Sequence, residues 1–261
     1  MHPLLTIALR AARDAAETIA HQSDRVDRVK IIESSPGNII TSAEQDAEAT
    51  IIYHIQQAHP EHSISSRLSG DKPGEDSSIV WLIDPLAGTE NFMRGVPRFA
   101  VSVACQVNNK IRHAVLIDPL LNEEYTASRG GGANLNGRRL RVTDRKTLED
   151  GLTSLDYPAT EDGITHLLSY QRCLVEAGSG IYISGCGVLD IAHTAAGRFD
   201  CGSGIYPGKS SIAAAALMLQ ESGGLISDIT GNPEINNAEA VVFGNPKCFK
   251  QLLQLEKRLT R

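Results

Sequence analysis

The sequence predicts a mixed α/β protein, α+β in its first half and alternating α/β in its second. Three observations carry this. Leu4, Leu5, Ala8, Ala11, Ala12, Ala15 and Ile19 recur at helical spacing near the start. Apolar, β-branched runs joined by Asn108-Asn109-Lys110 read as a hairpin. Beyond residue 150, helical patterns alternate with short strands, as in an α/β layer arrangement.

Taken in order, the first helix is expected over 3–21. Pro36-Gly37 interrupts the chain, and Thr41-x-x-Glu44 is a capping box that opens a second helix over 43–58. Short strands are expected at 63–69 and 80–83, around a charged turn at 71–76. Strands at 99–107 and 112–116 follow, then strands at 124–128 and 140–142 on either side of Gly130-Gly131-Gly132. In the second half, helices at 164–177, 187–197 and 211–222 alternate with strands at 152–155, 181–183, 224–227 and 240–243. The texture changes near 143–150. That places an α+β half at 1–145 and an α/β half at 146–261, packed as one unit.

Composition narrows the function classes. Hydrophobic residues make up 41% of the 261 and charged residues 21%, enough for a sizeable core and against global disorder. Lys+Arg 25 against Asp+Glu 31 gives −6, which argues against a general nucleic-acid or membrane-surface footprint. No apolar run approaches the roughly 18 residues of a membrane span. Arg10, Arg13 and Asp14 interrupt what would otherwise pass for a signal-peptide core. The five cysteines are odd in number, scattered and without a CxxC pair, so a reducing cytoplasm is expected.

The chemistry lies in Trp81-Leu82-Ile83-Asp84-Pro85-Leu86-Ala87-Gly88-Thr89-Glu90-Asn91-Phe92. An aspartate closing a buried strand, followed by Pro, Gly and Thr, presents a carboxylate and a hydroxyl from a rigid turn. This run resembles the WxIDP(L/I)DGTxNF signature of the inositol monophosphatase family. Gly132-Ala133-x-x-Asn136-Gly137, Ala195-Ala196-Gly197-Arg198-Phe199-Asp200, Glu221-x-Gly223-Gly224 and Gly244-Asn245-Pro246 resemble its later motifs. The opening residues are most similar to its bacterial extragenic-suppressor branch.

The resemblance implies a layered αβαβα sandwich, a homodimer, and Mg²⁺-dependent hydrolysis of phosphate monoesters such as inositol phosphate. Mg²⁺ needs converging carboxylates to hold it, and it then polarises the phosphoryl group and activates water. Asp84 matches the bridging aspartate. Thr89, with an acidic partner at Glu44, matches the pair that orients the attacking water. The same residues have plainer readings, Glu44 as the end of its capping box and Thr89 as a helix cap.

Three ligand positions depart from that pattern. The second signature aspartate is Ala87, the glutamate ahead of the signature is Arg67, and the late metal-binding aspartate is Ser211. Glu to Arg changes the site by +2 and each lost Asp adds +1, for +4 altogether. Of four carboxylate positions only Asp84 remains, so Mg²⁺ is expected to bind weakly or not at all.

Three readings follow from this. The first is a non-catalytic binding protein, for which the resemblance implies RNA polymerase and NusA-type transcription factors as partners. The second is a surviving phosphatase using Asp84, Thr89 and Glu44. The third is a metal-free anion-binding module on Arg67 and Lys209. Arg67 has a structural alternative as well, pairing with Asp84 to plug the vacated space.

Other motifs carry less. Pro60 breaks the helical register that His59-x-x-His62 would need for zinc, so a solvated loop is expected there. Gly208-Lys209-Ser210 lacks the upstream glycine of a phosphate loop, because that position is Ser203. Gly130-Gly131-Gly132 lacks the spacing and following helix of a dinucleotide site.

Overall fold

The computed structural model describes residues 2–35, 38–157, 161–206, 208–236 and 238–259. In chain order the first half holds α1 (Pro3–Ser23), a 3₁₀ turn (Val26–Arg28), β1 (Ile31–Ser35), β2 (Asn38–Thr41), α2 (Ser42–Ala58), β3 (His62–Ser66), β4 (Gly70–Lys72), β5 (Asp76–Ala87), α3 (Thr89–Met93), β6 (Ala100–Val107), β7 (Lys110–Asp118), β8 (Glu123–Ser128), β9 (Gly132–Leu135) and β10 (Arg138–Arg139). The second half holds β11 (Leu152–Asp156), α4 (Glu161–Glu176), β12 (Gly180–Tyr182), α5 (Gly187–Ala195), β13 (Cys201–Ile205), α6 (Lys209–Glu221), β14 (Leu225–Asp228), β15 (Ala240–Gly244) and α7 (Pro246–Leu259).

Period-two patterning decides the layers. An eight-stranded sheet runs β10-β9-β8-β7-β6-β5-β3-β4, and all its pairs are antiparallel except β3 with β5. On one face Trp81, Ile83, Val103, Val115 and Ile117 pack against Leu5, Ala8, Ala12 and Ile19 of α1 and Ala47, Ile51 and Ile55 of α2. On the other, Leu82, Ala104, Ala114 and Leu116 meet Leu189 and Ile191 of α5 and Ile212 and Leu217 of α6.

A second sheet, β12-β11-β13-β15-β14, turns Val241 and Phe243 toward that same middle layer. Its outer face packs Leu155 and Val242 against Tyr170 and Leu174 of α4 and Leu252 of α7. The stack is therefore helix, sheet, helix, sheet, helix: an αβαβα sandwich.

Several expectations need correction. No strand forms at 140–142. Instead β9 and β10 make a tight hairpin, because Asn136 (φ 48°) and Gly137 (φ 77°) both take left-handed conformations. Leu140 N–H then bonds Ala133 O at 2.8 Å, while Val142 N–H turns away to Ser222 O at 3.2 Å. The charged 71–76 turn contributes part of β4, and β5 begins earlier and ends later than expected. The β1–β2 ladder and α7 were not anticipated, and Pro36-Gly37 lies outside the described residues. Among the described residues no helix is long and apolar enough to cross a membrane.

Candidate functional site

Strand β5 ends in the signature run, and its pairing with β6 slips between Asp84 and Ala87. Pro85 has no N–H to give the ladder, so a break there is expected. Gly88 then takes φ 86°, and a Cβ at this position would stand 2.7 Å from Arg98 O. Only glycine meets both demands. Gly88, not Thr89, is the N-cap of α3, which frees the Thr89 hydroxyl for other partners.

That hydroxyl lies 2.9 Å from Glu44 Oε1 and 3.2 Å from Leu86 O. Glu44 is fully buried in the first turn of α2 and completes the expected capping box. Its Oε2 accepts from Thr41 N–H at 2.8 Å, while its own N–H donates to Thr41 Oγ1 at 3.3 Å. The capping box and the Thr89 contact thus use different carboxylate oxygens of Glu44.

Arg67 follows directly on β3, where its N–H bonds Ile83 O at 2.9 Å. Its Nε donates to Asp84 Oδ1 at 2.8 Å. Its Nη2 donates to Glu44 Oε1 and, at 3.3 Å, to Leu86 O. One guanidinium thus bridges two buried carboxylates. Asp84, with Glu44 beside it, holds the Arg67 pKa well above its ordinary value, against the pull of burial. Burial raises the Glu44 pKa, and Arg67, Thr41 and Thr89 oppose that rise.

The other expected positions lie apart from this triad. Ala87 offers its backbone carbonyl to Cys186 Sγ at 3.5 Å. Ser211 is buried in the first turn of α6, and among the described residues its hydroxyl has no hydrogen-bond partner. Lys209 reaches Gln106 Oε1 on β6, while Arg67 is spent on Asp84 and Glu44. Ser210 Oγ donates to Ser65 O at 3.1 Å, which ties the start of α6 to the strand leading into Arg67.

The His59–His62 loop is more ordered than a solvated turn. Ligand atoms of His59, Glu61 and His62 lie within 4.8 Å of one another. The tautomer argues against metal binding, however. Trp81 Nε1–H donates to His62 Nδ1 at 3.1 Å, which leaves the ring proton on Nε2, facing Glu61 at 3.3 Å. Metal-bound imidazoles donate through the remote nitrogen, whereas this one accepts. The two rings also stack at 4.2 Å, 12° from parallel, so their in-plane lone pairs do not converge. Burial, with His59 beside it, lowers the His62 pKa and keeps the ring neutral.

Sequence reasoning missed a second buried ionic cluster, at the start of α5. Asp190 is 1% exposed, and its Oδ1 lies 3.5 Å from Arg98 Nη2. Among the described residues no hydrogen bond of good geometry reaches either Asp190 oxygen, Arg98 Nε and Nη2 or the Tyr206 hydroxyl, although the Ser184 hydroxyl and Arg98 stand close enough to hold the Asp190 pKa down somewhat. Burial pushes Asp190 up to about 7. Asp156, which accepts from Gly187 N–H, rises to about 6 for the same reason. Arg98 and Asp190 stand 92 residues apart with no motif around them, so no local signal announced the pair.

The comparisons with known proteins agree with the fold. The profile of the Inositol monophosphatase family matches residues 1–259. The Nus factor SuhB of Pseudomonas aeruginosa is 44% identical over 258 residues, 97% of this chain and 95% of that protein. The Nus factor SuhB of Escherichia coli K12 is 36% identical over 255 residues, with the same coverage of 97% and 95%. The crystal structure of extragenic suppressor protein suhB from Bartonella henselae superposes with a TM-score of 0.95 at 31% identity, over 98% of this chain and 99% of that one. The Thermotoga maritima IMPase gives 0.90 at 25% identity, over 99% and 98%. The chain belongs to the inositol monophosphatase family, within its SuhB-like branch.

Proposed function

We propose that this protein keeps the family scaffold without its divalent-metal chemistry and works by binding, as a Nus-factor-like component of the transcription machinery. The observation that carries this is the Arg67 guanidinium lodged between Glu44 and Asp84. The residues present do not fit Mg²⁺. Asp84 is the one carboxylate left of the four ligand positions that the resemblance implies, and the others are Arg67, Ala87 and Ser211.

A unit charge 4 Å away contributes about 4 kcal/mol at an effective dielectric of about 20, and a divalent ion roughly doubles that repulsion from Arg67. Thr89 and Glu44 still touch, but Glu44 Oε1 also holds Arg67 and is not free to orient a water. That weakens the alternative reading as a phosphatase. The five free cysteines, four of them buried, suit a reducing cytoplasm.

The relatives called Nus factors supply the partner class. Immobilised protein is expected to retain RNA polymerase and NusA from a lysate of its own source, and to do so equally in EDTA. Recovery of neither, in two independent tag orientations, would overturn the reading. The homodimer implied by the family is checked in the same preparation by light scattering, with a mass of two chains expected.

A further inference from the structure

The strap that joins β10 to β11 concentrates positive charge that the fold does not neutralise. Residues 138–147 read Arg-Arg-Leu-Arg-Val-Thr-Asp-Arg-Lys-Thr, five cations against one acid, or +4. The whole chain carries −6, so everything outside the strap sums to −10. All five cations are exposed. Arg145 is paired, its Nε 3.2 Å from Asp200 Oδ2. Among the described residues no carboxylate stands within ion-pair distance of Arg138, Arg139, Arg141 or Lys146. Arg139 Nη1 donates to Gly131 O at 3.5 Å and Arg141 Nη1 to Leu140 O at 2.9 Å, contacts that leave their charge uncompensated.

Packing holds this charge in place. Leu140 is buried in the middle layer and Leu148 in the outer core, so the strap is pinned at both ends. Between them Val142 N–H bonds Ser222 O at 3.2 Å, and Thr143 Oγ1 donates to Asp200 Oδ1 at 2.6 Å. Asp200 also accepts from Leu152 N–H at 2.9 Å, so its charge is spent on the strap's own anchors. Glu149 and Asp150 lie past Leu148, beside Gly178 after α4, which leaves Asp144 as the strap's own acid.

Helix α7 extends the surface. Gln251 Nε2 donates to Lys146 O at 2.7 Å and to Lys247 O at 3.3 Å, which sets the first turn of α7 against the strap. Lys247 is exposed, has no ion-pair partner among the described residues, and shares that turn with no acid. A cation there faces the positive end of the helix dipole, a placement that adds to the local potential instead of relieving it.

We propose that the 138–147 strap, with the start of α7, is a docking surface for the phosphate backbone of single-stranded RNA. From Arg138 to Lys146 an extended chain covers up to about 26 Å, so one small anion cannot serve these cations, whereas a run of phosphates can. Arginine forks suit phosphate oxygens. Residues 126–156 contain no Phe, Tyr or Trp on which a base could stack, so the contact is with the backbone and carries no sequence preference. The choice of RNA over another polyanion rests on the Nus-factor-like reading.

The test is fluorescence anisotropy of a labelled single-stranded RNA, about 20 nucleotides long, with the full purified chain over a series of salt concentrations. A Kd of about 1–100 μM is expected, with a slope of log K against log salt of about −3.5 for five phosphate contacts. The variant Arg139→Gln, Arg141→Gln, Lys146→Gln is expected to bind at least about tenfold more weakly, with a slope of about −1.4. Arg25→Gln, Arg28→Gln, Lys72→Gln removes three exposed cations elsewhere and is expected to bind within about twofold of the wild type. Oligouridine and a mixed sequence are expected to bind alike. Equal losses from the two variants, or binding that ignores salt, overturn the surface. Tighter binding of a polyglutamate peptide than of RNA overturns it too, and makes the strap a protein-docking face. RNA polymerase and NusA retained by a protein that binds no RNA remove the strap alone. Recovery of neither, from a protein that binds RNA through the strap, removes the partner reading and leaves the surface standing.

Discussion

Arg67→Met is expected to lower the unfolding free energy by about 3–5 kcal/mol at pH 7.5, the usual cost of removing one member of a buried ionic group. For a chain of this size that is a fall in Tm of roughly 10 °C. The reason lies in what stays behind. Glu44 and Asp84 are buried, and without the guanidinium their charges face each other across the bridge it made.

Burial already raises the Glu44 pKa with Arg67 present, so removal drives it further up. An acid whose folded pKa stands above its unfolded value is destabilising above that range and harmless below it. The deficit of Arg67→Met should therefore shrink as the pH falls from 7.5 to 5. The triple variant Arg67→Met, Glu44→Gln, Asp84→Asn should recover most of the loss, because a neutral set of similar volume has no charge to bury. Urea denaturation of the three proteins at the two pH values checks this, and a deficit that does not change with pH would contradict it.

The second large effect is expected at Asp190. Its folded pKa is near 7, against an ordinary value of 3.8. Below about 4 the group is protonated in both states and costs nothing. Between about 4 and 7 the unfolded chain loses the proton while the folded one keeps it, so stability falls as pH rises. At about 1.4 kcal/mol per unit, the full loss approaches 4 kcal/mol above pH 7.

Asp190→Asn keeps the shape, stays neutral and still offers Arg98 an oxygen. It should be more stable than the wild type at pH 8, with a gap that widens from pH 5 to 7 and then levels. The groups around Asp190 include Ser184 and Arg98, which favour its charged form, Asp156 on β11, which opposes it, Tyr206 after β13 and Cys186 at the α5 start. Asp156→Asn run alongside isolates the second carboxylate. A variant Asp190→Asn that is less stable than the wild type at every pH would mean that Asp190 is ionised and that the Arg98 pair stabilises the fold.

Much of this fold was legible because its signals are local. The apolar stripe of α1, the Thr41–Glu44 box and the Asn108-Asn109 turn, whose φ values are 50° and 61°, each act within a few residues. Asn136-Gly137 is a turn signal of the same kind, but the strand it leads into is the two-residue β10 at Arg138–Arg139, earlier than the strand expected at 140–142. Helix α7 carries a legible signal too, since Cys248, Leu252 and Glu256 recur at four-residue spacing on its buried face, although no helix was expected there.

The site divides in the same way. Asp84 and Thr89 follow from a strand end and a rigid turn. The bridge to Glu44 spans 23 residues, and the contact from Lys209 to Gln106 spans 103. Charge arithmetic at Arg67 anticipated a cation in the site, but the division of its nitrogens between two acids depends on how α2 and β5 pack.

The most direct test of the account is Mg²⁺ binding by the wild type beside the variant Arg67→Glu, Ala87→Asp, Ser211→Asp. Isothermal titration with MgCl₂, followed by phosphate release from myo-inositol 1-phosphate, reads both metal and chemistry. The account predicts no saturable heat and no turnover from the wild type, with Mg²⁺ binding and Mg²⁺-dependent turnover gained by the variant. Saturable Mg²⁺ binding or Mg²⁺-dependent release by the wild type would contradict it, because Arg67 would then have to leave Asp84 and Glu44 for the metal to enter.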